Sequence, residues 1–373
     1  MNVIGIIAEY NPFHNGHKYH IETIKKIYPD SLIICVLNGY FMQRGEISVL
    51  TKEEKVKIAL ENNIDIVLEL PFVYGTQASD IFAYYSIKIL NEFKVDHIIF
   101  GSESNNIDLL NEIVDIQLED PEYENKVKEY LDLGFNYPTA MKKALNIEED
   151  LNNPNDLLGI SYIKAIRQIN KNIIPETIKR TSDYHDTVST DKIISASNIR
   201  EKIKNGEEIV KYLPESIIPQ INNVTNNCLF NYLKFKILTD PKLNEYLDVD
   251  EGIEYRIQNV INESNNIEEL ISKIKTKRYT YNKINRMLLH IMIGLTKEDN
   301  KNAKLDYIKI LGFNNNGQNY LKQIRKDLTL PTTVNKDSLL YQYELKAVYL
   351  YELGSKDNLN NFDIKNIPIK KDE

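Results

Sequence analysis

Two histidines on either side of a glycine, His14 and His17, are the residues near the start of the chain best placed to do chemistry. They follow the apolar run 3–8 and precede a helical pattern, so they lie where a strand is followed by a helix. Backbone N–H groups at a helix N-terminus and the helix dipole both favour a bound anion. Imidazole N–H groups add donors, and Gly16 lets a nucleotide approach the backbone closely. The pattern indicates charge stabilisation at the α-phosphate of a nucleotide such as ATP; the alternative is a pair of helix-capping or core histidines.

The elements that position this turn are predicted by apolar runs alternating with helical patterns. The predicted strands are 3–8, 31–37, 65–70 and 97–100, and the helices between them begin near Lys18, Thr51 and Asp80. Thr51 and Glu54 have the spacing of a capping box. Near-continuous apolar strands separated by helices predict an α/β fold with a parallel sheet covered on both faces, whose ligands bind at the carboxyl ends of the strands. We therefore expect the histidine turn, the strand end 69–71 and the segment 101–103 to meet at one cleft.

The sequence pattern beyond residue 106 predicts a change from alternating strands and helices to a mostly helical architecture. Residues 106–180 are mostly helical in pattern, with a polar break at 152–156 and a short final strand, and another helix begins after Ser195. Beyond Gly206, strand signals are few and helical signals many. We expect two domains, which are a Rossmann-like parallel-sheet domain over 1–205 and a mainly α-helical domain over 206–373.

The composition narrows the class of protein. Lysine and arginine number 46 against 54 acidic residues, a net charge of −8, which argues against indiscriminate nucleic-acid binding by the whole surface but allows a local basic patch. No apolar stretch approaches the roughly 20 residues that span a bilayer, so we expect a cytoplasmic protein without membrane contact. The two cysteines, Cys35 and Cys228, offer neither a metal cluster nor a disulfide framework.

Two segments carry a resemblance to a known superfamily. The segment 11–17 resembles the H-x-G-H signature of the nucleotidylyltransferases, which share their architecture with class I aminoacyl-tRNA synthetases. Their second signature, an I-S-S/A-T/S-x-I-R segment that opens a late helix, is matched by 194–200. Hydroxyls and N–H groups at that helix start would hold the β- and γ-phosphates, and Arg200 would add charge. Both motifs occur in the expected order, so the resemblance implies activation by ATP.

A longer resemblance, to the bacterial tRNA(Met) cytidine acetate ligases, extends through essentially the whole chain. The segments that carry it are 9–17, 41–46, 100–103, 157–159 and 277–280. It implies an enzyme that uses ATP to activate acetate as acetyl-adenylate and then acetylates the amino group of the wobble cytidine in elongator tRNA(Met), forming N(4)-acetylcytidine. It also implies Mg²⁺ bridging the phosphates of ATP. No protein partner is identifiable.

The resemblance assigns roles to individual residues. His14 and His17 become catalytic donors that stabilise the charge at the α-phosphate as acetate attacks and pyrophosphate leaves. The nucleotide-binding residues that it implies lie at the histidine turn and in later loops: Ile7, Ala8, Glu9, Tyr10, Asn11, Pro12, Phe13, His14, Asn15, Gly16, His17, Lys18, Tyr19, His20, Gly101, Asn155, Arg180, Ser195, Ser197 and Arg200.

Several of these positions have an ordinary structural alternative. His20 could equally have a structural role on the helix. Gly101 could be a simple turn glycine. Asp156, which follows Asn155, could be a plain helix N-cap. Glu9 and Glu69 invite a role as base toward the cytidine amine. Because a carboxylate near ATP more often binds magnesium or ribose, neither is assigned a catalytic role.

Substrate-binding residues are expected in two further places. Arg44, in a polar loop after the second strand, could bind triphosphate or acetate, or be a solvated loop residue. The segment 273–286 carries six positive charges, no acidic residue and the tyrosines Tyr279 and Tyr281. Such a run is often only a solvated helix face, but basic groups neutralise phosphates and tyrosines stack on unpaired bases. The residues assigned to substrate binding are Arg44, Lys275, Lys277 and Arg278.

Two other functions remain open on the sequence. An adenylyltransferase that acts on a small phosphorylated metabolite would share the first chemical step, although a small acceptor would not need a basic helical domain. A non-catalytic protein that binds ATP or RNA is the second alternative. The intact residues His14, Gly16 and His17 and the intact segment 195–200 argue against it.

Overall fold

The computed structural model describes residues 1–135, 137–145, 153–180, 193–214, 217, 221–276, 278–355 and 362–371. Within these ranges seven strands form one sheet in the order β5-β4-β1-β2-β3-β6-β7. The strands are β1 (Val3–Ala8), β2 (Leu32–Asn38), β3 (Ile66–Leu70), β4 (His97–Ser102), β5 (Ile174–Lys179), β6 (Ile310–Phe313) and β7 (Ile369–Lys370). Lys277, one of the residues assigned to substrate binding, lies outside the described residues.

The first five strands are parallel, in the order of a doubly wound fold. β1 pairs with β2 on one side and with β4 on the other, so the strand order reverses between β1 and β4. Strand β2 is buried along its whole length, as its run of apolar residues predicts. The predicted Rossmann-like parallel sheet is confirmed, and the crevice between the carboxyl ends of β1 and β4 is the place where such a fold binds ligands.

Helices cover both faces of the sheet and form most of the C-terminal half. They are α1 (Asn15–Ile27), α2 (Lys52–Glu61), α3 (Phe72–Gly75), α4 (Ser79–Glu92), α5 (Ile107–Glu119), α6 (Tyr123–Asp132), α7 (Tyr137–Leu145), α8 (Pro154–Ile169), α9 (Ala196–Lys204), α10 (Phe230–Thr239), α11 (Ile253–Ile261), α12 (Ile267–Ile274), α13 (Tyr281–Ile293), α14 (Lys297–Asn302), α15 (Asn315–Ile324), α16 (Leu339–Ser355) and α17 (Phe362–Lys365). None of the helices in the described ranges is both long and apolar enough to cross a membrane.

Local caps fix where the site-bearing helices begin. Thr51 and Glu54 form the predicted capping box at the start of α2, and each side chain accepts a hydrogen bond from the backbone N–H of the other. Ser195 is the N-cap of α9 and accepts from the N–H of Asn198 at 3.2 Å. Each of these caps depends on a residue three positions further along the chain, so the sequence predicts them well.

The C-terminal half also completes the sheet, which the sequence did not predict. Strand β6 pairs antiparallel with β3, and β7 pairs parallel with β6. Both strands are too short to stand out from the surrounding helical pattern. The sheet therefore continues past residue 205, and the division into domains at 205/206 stays a prediction.

A buried group of charges, the Lys52 cluster, joins the C-terminal segment to the sheet. The Lys52 Nζ atom lies 2.8 Å from Glu69 Oε1, 2.7 Å from Glu344 Oε1 and 2.6 Å from Asp363 Oδ1. Lys309 completes the cluster, with its Nζ atom 3.7 Å from Glu69 and 3.6 Å from Asp363. Burial alone would lower the pKa of Lys52, but the three carboxylates raise it, so the lysine stays charged.

Candidate functional site

A cleft of about 580 Å³ opens at the carboxyl ends of β1 and β4, a size typical of ligand pockets. Most of the residues assigned from the sequence line it. These are Ile7, Ala8, Glu9, Tyr10, Asn11, His14, Gly16, His17, Tyr19, His20, Arg44, Gly101, Asn155, Arg180, Ser195, Ser197 and Arg200. The fold therefore brings the two signature segments, some 180 residues apart along the chain, to one cavity.

Four of the assigned nucleotide-binding residues lie beside the cleft rather than on its wall. Phe13 is fully buried in the core, and the side-chain amide of Asn15 donates to the carbonyl of Lys211 at 3.0 Å. Lys18 is on the exposed face of α1, 3.9 Å from Glu22. Pro12 is buried in the turn between β1 and α1. Direct contact of these four side chains with a nucleotide stays a prediction.

The two signature histidines cap α1 with their Nδ1 atoms. The Nδ1 atom of His14 accepts from the N–H of Gly16 at 2.9 Å, and the Nδ1 atom of His17 accepts from the N–H of His14 at 3.2 Å. An imidazole nitrogen that accepts a hydrogen bond carries no proton, so the neutral tautomer of each ring is Nε2–H. The capping role and the functional role are thus not alternatives, because the cap orients the second nitrogen as a donor.

Burial keeps both rings neutral. It lowers the pKa of His14 to about 3, and the positive charges of Arg180 and Arg200 act in the same direction. Burial likewise lowers the pKa of His17 well below its ordinary value, with further contributions from His14, Arg180 and His20. At neutral pH the pair therefore offers two hydrogen-bond donors and no proton to give away, which suits an oxyanion-stabilising role rather than general acid catalysis.

Glycine is required at Gly16 because the capping ring of His14 lies against it. A Cβ atom there would lie 2.7 Å from Cε1 and 2.9 Å from Nδ1 of His14. At Gly101, the end of β4, a Cβ atom would meet Cγ of Arg180 at 3.3 Å, a tight contact that a flexible side chain can relieve. Gly101 thus lies on the cleft wall, within a strand rather than a turn.

The end of β1 holds the loop that follows β2. Glu9 accepts from the backbone N–H of Gln43 at 2.6 Å and from the amide of Asn38 at 2.9 Å. Asn11 accepts from the N–H of Val49 at 2.9 Å and donates to the carbonyl of Ile47 at 3.3 Å. Because these bonds occupy both side chains, Glu9 and Asn11 fix the loop against the histidine turn.

The start of α9 forms the wall opposite the histidines. Ser195 caps the helix, and Ser195 and Ser197 both line the cleft. Arg200, one turn further, donates to the carbonyl of Asn11 at 2.7 Å and forms an ion pair with Glu46. Arg200 is therefore tied to the histidine turn and to the loop after β2, next to the N–H groups that would receive phosphates.

Asn155 and Arg180 meet at Glu103, on the β4–β5 side of the cleft. The side chain of Glu103 accepts from the N–H groups of Asn155 and Asp156, both at 3.1 Å, and lies 3.9 Å from Arg180 Nε. Helix α8 has Asn153 as its N-cap, so the alternative of Asp156 as N-cap is wrong. Asp156 instead accepts from the hydroxyl of Ser102 and the N–H of Ser104, which fixes the end of β4.

The predicted basic segment divides in the structure. Lys273 pairs with Glu269 at 2.8 Å, and Arg278 pairs with Glu251 at 3.1 Å on the exposed surface. Lys275 is exposed at the end of α12. Arg286 is nearly buried, with its side chain 12% exposed, and lines the cleft together with Thr280 and Asn282. A role of the exposed members in tRNA binding stays a prediction.

Glu69 is excluded from the cleft by its burial. It is 2% exposed, belongs to the Lys52 cluster and is not among the residues on the cleft wall. A base for an incoming amine must reach the reacting atom, so Glu69 cannot act as one.

Sequence reasoning missed the part of the cleft wall that comes from distant elements. Met42, Phe82 and Phe100 supply apolar surface, and Arg286 adds a positive charge from α13. Met42 and Phe100 fall within segments that carried the family resemblance, and that was the only signal for them. Together with Arg44, Arg180 and Arg200, Arg286 gives the cleft a surplus of guanidinium groups over the carboxylates of Glu9 and Glu46. This charge complements anionic ligands.

Known protein families, sequences and structures resemble this chain along most of its length. The model of the HIGH nucleotidyl transferase family matches residues 1–366. The tRNA(Met) cytidine acetate ligase of Clostridium novyi (strain NT) is 37% identical over 99% of both chains, and that of Geobacillus sp. (strain WCH70) is 37% identical over 94% of both. Crystal structures of Thermotoga maritima TmcAL cover 100% of both chains, with a TM-score of 0.90 at 30% identity for the apo form and 0.86 at 28% for the form bound with alpha-thio ATP.

The matches span nearly the whole chain and nearly the whole of each relative, so they test the family resemblance along its full length. They confirm it in both halves of the molecule, including the helical half where the sequence carries fewer motifs. This chain belongs to the HIGH nucleotidyl transferase family and, within it, to the tRNA(Met) cytidine acetate ligases.

Proposed function

We propose that this chain is an ATP-dependent ligase that activates acetate as acetyl-adenylate and acetylates the wobble cytidine of elongator tRNA(Met), in the cytoplasm. The observation that carries the proposal is the pair of neutral imidazoles at the β1–α1 turn, with both Nδ1 atoms used as caps. Relatives named for this reaction, 37% identical over at least 94% of the chain, support it.

In the first step, an acetate oxygen attacks the α-phosphorus of ATP. A bond forms between that oxygen and phosphorus, and the bond from phosphorus to the α,β-bridging oxygen breaks, so pyrophosphate leaves with the electron pair. The Nε2–H groups of His14 and His17 donate to the α-phosphate oxygens as negative charge builds there. The N–H groups at the start of α9 and Arg200 receive the β- and γ-phosphates.

In the second step, the N4 amine of the cytidine attacks the acetyl carbonyl carbon of acetyl-adenylate. AMP leaves with the electron pair of the acyl–oxygen bond, and the amine loses one proton to give N(4)-acetylcytidine. Catalysis rests on positioning and electrostatics, without a covalent intermediate on the enzyme. Lys275, Lys277 and Arg278, on the helical half, are the proposed contacts to tRNA phosphates.

We also propose that ATP enters with Mg²⁺ on its phosphates, where the metal would neutralise charge on the leaving pyrophosphate. Among the described residues no group of three or more histidine, cysteine, aspartate or glutamate side chains could hold a metal ion. The side chains of the cleft therefore suit a cation carried by the nucleotide and water rather than a resident one.

Incubation with radiolabelled acetate, ATP and bulk tRNA tests the proposal. We expect acetate-dependent ATP–pyrophosphate exchange without tRNA, and label in tRNA when it is added. Exchange that does not depend on acetate would contradict the proposal and favour an adenylyltransferase for another acceptor. Binding of ATP and tRNA with neither exchange nor transfer would instead indicate a non-catalytic protein.

A His14→Asn variant tests the role of the histidines. Asparagine is a good N-cap, so the variant keeps the cap of α1 but loses the Nε2–H donor. We expect a loss of about 10²–10³ in acetate-dependent exchange, the usual effect of removing one oxyanion donor. His97→Ala is the matched control, because His97 begins β4 at the amino end of the strand, where it contacts Glu176. Equal losses in both variants would contradict the donor role.

A further inference from the structure

Two arginines from distant parts of the chain, Arg44 and Arg286, line the cleft from neighbouring segments. The side-chain amide of Asn285 donates to the carbonyl of Arg44 at 2.7 Å, and a Cβ atom at Gly45 would lie 2.9 Å from the backbone nitrogen of Arg286. The backbones of the loop after β2 and of α13 are therefore in contact. Arg44 and Arg286 line the same cavity from these adjacent backbones.

Arg286 is nearly buried but incompletely satisfied. Its side chain is 12% exposed, its Nε atom is buried without a hydrogen-bond partner, and its nearest carboxylate, Asp248, lies 4.0 Å away. Burial lowers the pKa of Arg286, and nearby Arg44 acts in the same direction while Asp248 and Asp80 oppose it. Placing two guanidinium groups together costs free energy unless an anion joins them, because like charges repel.

Asp248, whose carboxylate lies 4.0 Å from Arg286, also contacts the helix that carries it. The Asp248 carboxylate lies 3.3 Å from Nδ1 of His290, which is fully buried and whose Nε2 atom is 3.0 Å from the carbonyl of Thr76. This chain of contacts ties α13 to the segment just before α4. The position of Arg286 is therefore set by the fold and not by a flexible surface loop.

The surroundings of the two arginines suit a small carboxylate. Met42 and Phe82, each 2% exposed, line the same cleft, as does Ala78 at the start of α4. The amide of Gln43 donates to the carbonyl of Gln77 at 2.6 Å, which brings the loop after β2 against that helix start. A tRNA phosphate stays hydrated on an exposed surface, whereas an acetate ion can place its methyl group against apolar side chains.

The Arg44 side of the cleft is also connected to the histidine turn. Gln43, which precedes Arg44, donates its backbone N–H to Glu9 at the end of β1. The loop that carries Arg44 is thus anchored at the end of β1, just before the histidine turn. The β4–β5 side, with Gly101 and Asn155, is left for the nucleoside of ATP.

We propose, resting on the function proposed above, that Arg286 and Arg44 together bind the carboxylate of acetate before it attacks the α-phosphorus. Guanidinium N–H groups hold the ion by charge-assisted hydrogen bonds, and one carboxylate oxygen keeps a lone pair toward phosphorus. That oxygen forms the new bond to phosphorus as pyrophosphate leaves. Arg286 is in this scheme a substrate-binding residue supplied by the helical half of the molecule.

The experiment measures acetate-dependent ATP–pyrophosphate exchange in Arg286→Lys and Arg286→Met. Lysine keeps the charge and much of the length but loses the planar fork, so it is the variant that best preserves the fold. We expect the KM for acetate to rise about 10–100-fold, the loss typical of one hydrogen bond to a charged group. The Kd values for ATP and tRNA, measured without acetate, should stay within about twofold of the unmodified protein.

Arg256→Met is the matched control, because Arg256 is a surface arginine of the same half that donates to the carbonyl of Lys273 at 2.9 Å. It should leave the KM for acetate unchanged. This inference would be overturned if the KM for acetate were unchanged in both Arg286 variants. It would also be overturned if the variants raised the Kd for ATP or tRNA and left the KM for acetate unchanged. Absence of acetate-dependent exchange in the unmodified protein would instead overturn the proposed function, so the two failures are distinguishable.

Discussion

The two signature histidines show how one side chain serves the fold and the site together. His14 occupies its Nδ1 atom with a backbone N–H, and the same bond fixes the proton on Nε2. His17 repeats the arrangement one turn later and is 3.9 Å from His14 between ring centroids. Two protonated rings this close would repel each other, so the neutral state is a condition of the geometry as well as of the chemistry.

The neutral state of His14 predicts how stability depends on pH. Its pKa is about 3 in the folded protein against an ordinary value of 6.5, so below pH 6.5 the unfolded chain binds a proton that the folded protein does not. Stability therefore falls as the pH falls from 6.5 toward 3, by up to about 1.4 kcal/mol per pH unit for this group. Between pH 7 and pH 5 the free energy of unfolding should fall by about 1–2 kcal/mol less in His14→Asn than in the unmodified protein. Urea unfolding at both pH values measures it, and equal losses in both proteins would contradict the prediction.

At this scale the sequence predicted the residues whose partners are local. The histidine turn and the cap at Ser195 depend on neighbours within three positions, so the spacing of these residues alone predicts them. The ion pair of Arg200 with Glu46 and the position of Arg286 depend on residues far away in the chain. No local pattern encodes such contacts, which is why Arg286 was assigned to a surface patch.

At the scale of the elements, a glycine sets how closely α8 approaches β4. A Cβ atom at Gly159 would lie 2.4 Å from Cε2 and 3.1 Å from Cζ of Phe100, so helix and strand pack with the ring directly against the helix backbone. Phe100 is also part of the cleft wall, next to Gly101. Leu157 and Leu158 of the family motif line the cleft directly, whereas Gly159 acts on it through its packing against Phe100.

Gly159→Ala should therefore weaken ATP binding. Alanine gains about 1 kcal/mol in helix propensity over glycine, but overpacking of a buried site typically costs about 1–3 kcal/mol. The strain can be relieved only if the Phe100 ring moves, and the ring borders the cleft. We expect a higher Kd for ATP with stability reduced by no more than about 2 kcal/mol, measured by ATP titration and denaturant unfolding. Ser161→Ala on the same helix should change neither, and an unchanged Kd in Gly159→Ala would refute the argument.

The elements themselves were largely predictable. Observed β1 to β4 begin and end within two residues of the predicted strands, because their apolar runs are long and bounded by polar residues or proline. Strands β6 and β7 were missed, since four and two residues carry too little pattern. Their place in the sheet is decided by tertiary contacts with β3, which a single sequence does not display.

For the molecule as a whole, the Lys52 cluster determines how the C-terminal segment is held. Three buried carboxylates surround Lys52, and two of them, Glu344 and Asp363, belong to α16 and α17. The hydroxyl of Tyr40 donates to Asp363 at 2.6 Å, which links the cluster to the loop that carries Arg44. Asp363 therefore ties α17 to the start of the loop whose later residues line the cleft.

Removal of the central cation should destabilise the whole fold. Lys52→Met leaves three buried carboxylates with Lys309 as the remaining cation of the cluster, and breaking a buried ion pair in this way typically costs about 3–5 kcal/mol. Asp363→Asn should cost less, because both lysines keep Glu69 and Lys52 also keeps Glu344. Denaturant unfolding measures the loss, with Lys57→Met on the exposed face of α2 as control. A loss no larger than that of the control would show that the cluster contributes little to stability.

The net charge of −8 sets the conditions under which this protein can bind RNA. A polyanion is repelled by most of such a surface, so affinity must come from a local concentration of cations. Lys275 and Arg278 are exposed between α12 and α13, and α13 also carries Arg286 into the cleft. The pairing of Arg278 with Glu251 on the exposed surface is weak enough for a phosphate to displace.

Neutralising these two cations should therefore weaken tRNA binding and flatten its dependence on salt. Each lost phosphate contact lowers the slope of log K against log salt by about 0.7–0.9, so Lys275→Gln with Arg278→Gln should reduce it by about 1.5. Acetate-dependent exchange does not involve tRNA and should be unchanged. The matched control neutralises Lys126 and Lys242, two lysines that pair with carboxylates elsewhere on the surface. Titrations of tRNA at several salt concentrations measure the slopes; identical slopes in the two double variants would place the docking surface elsewhere.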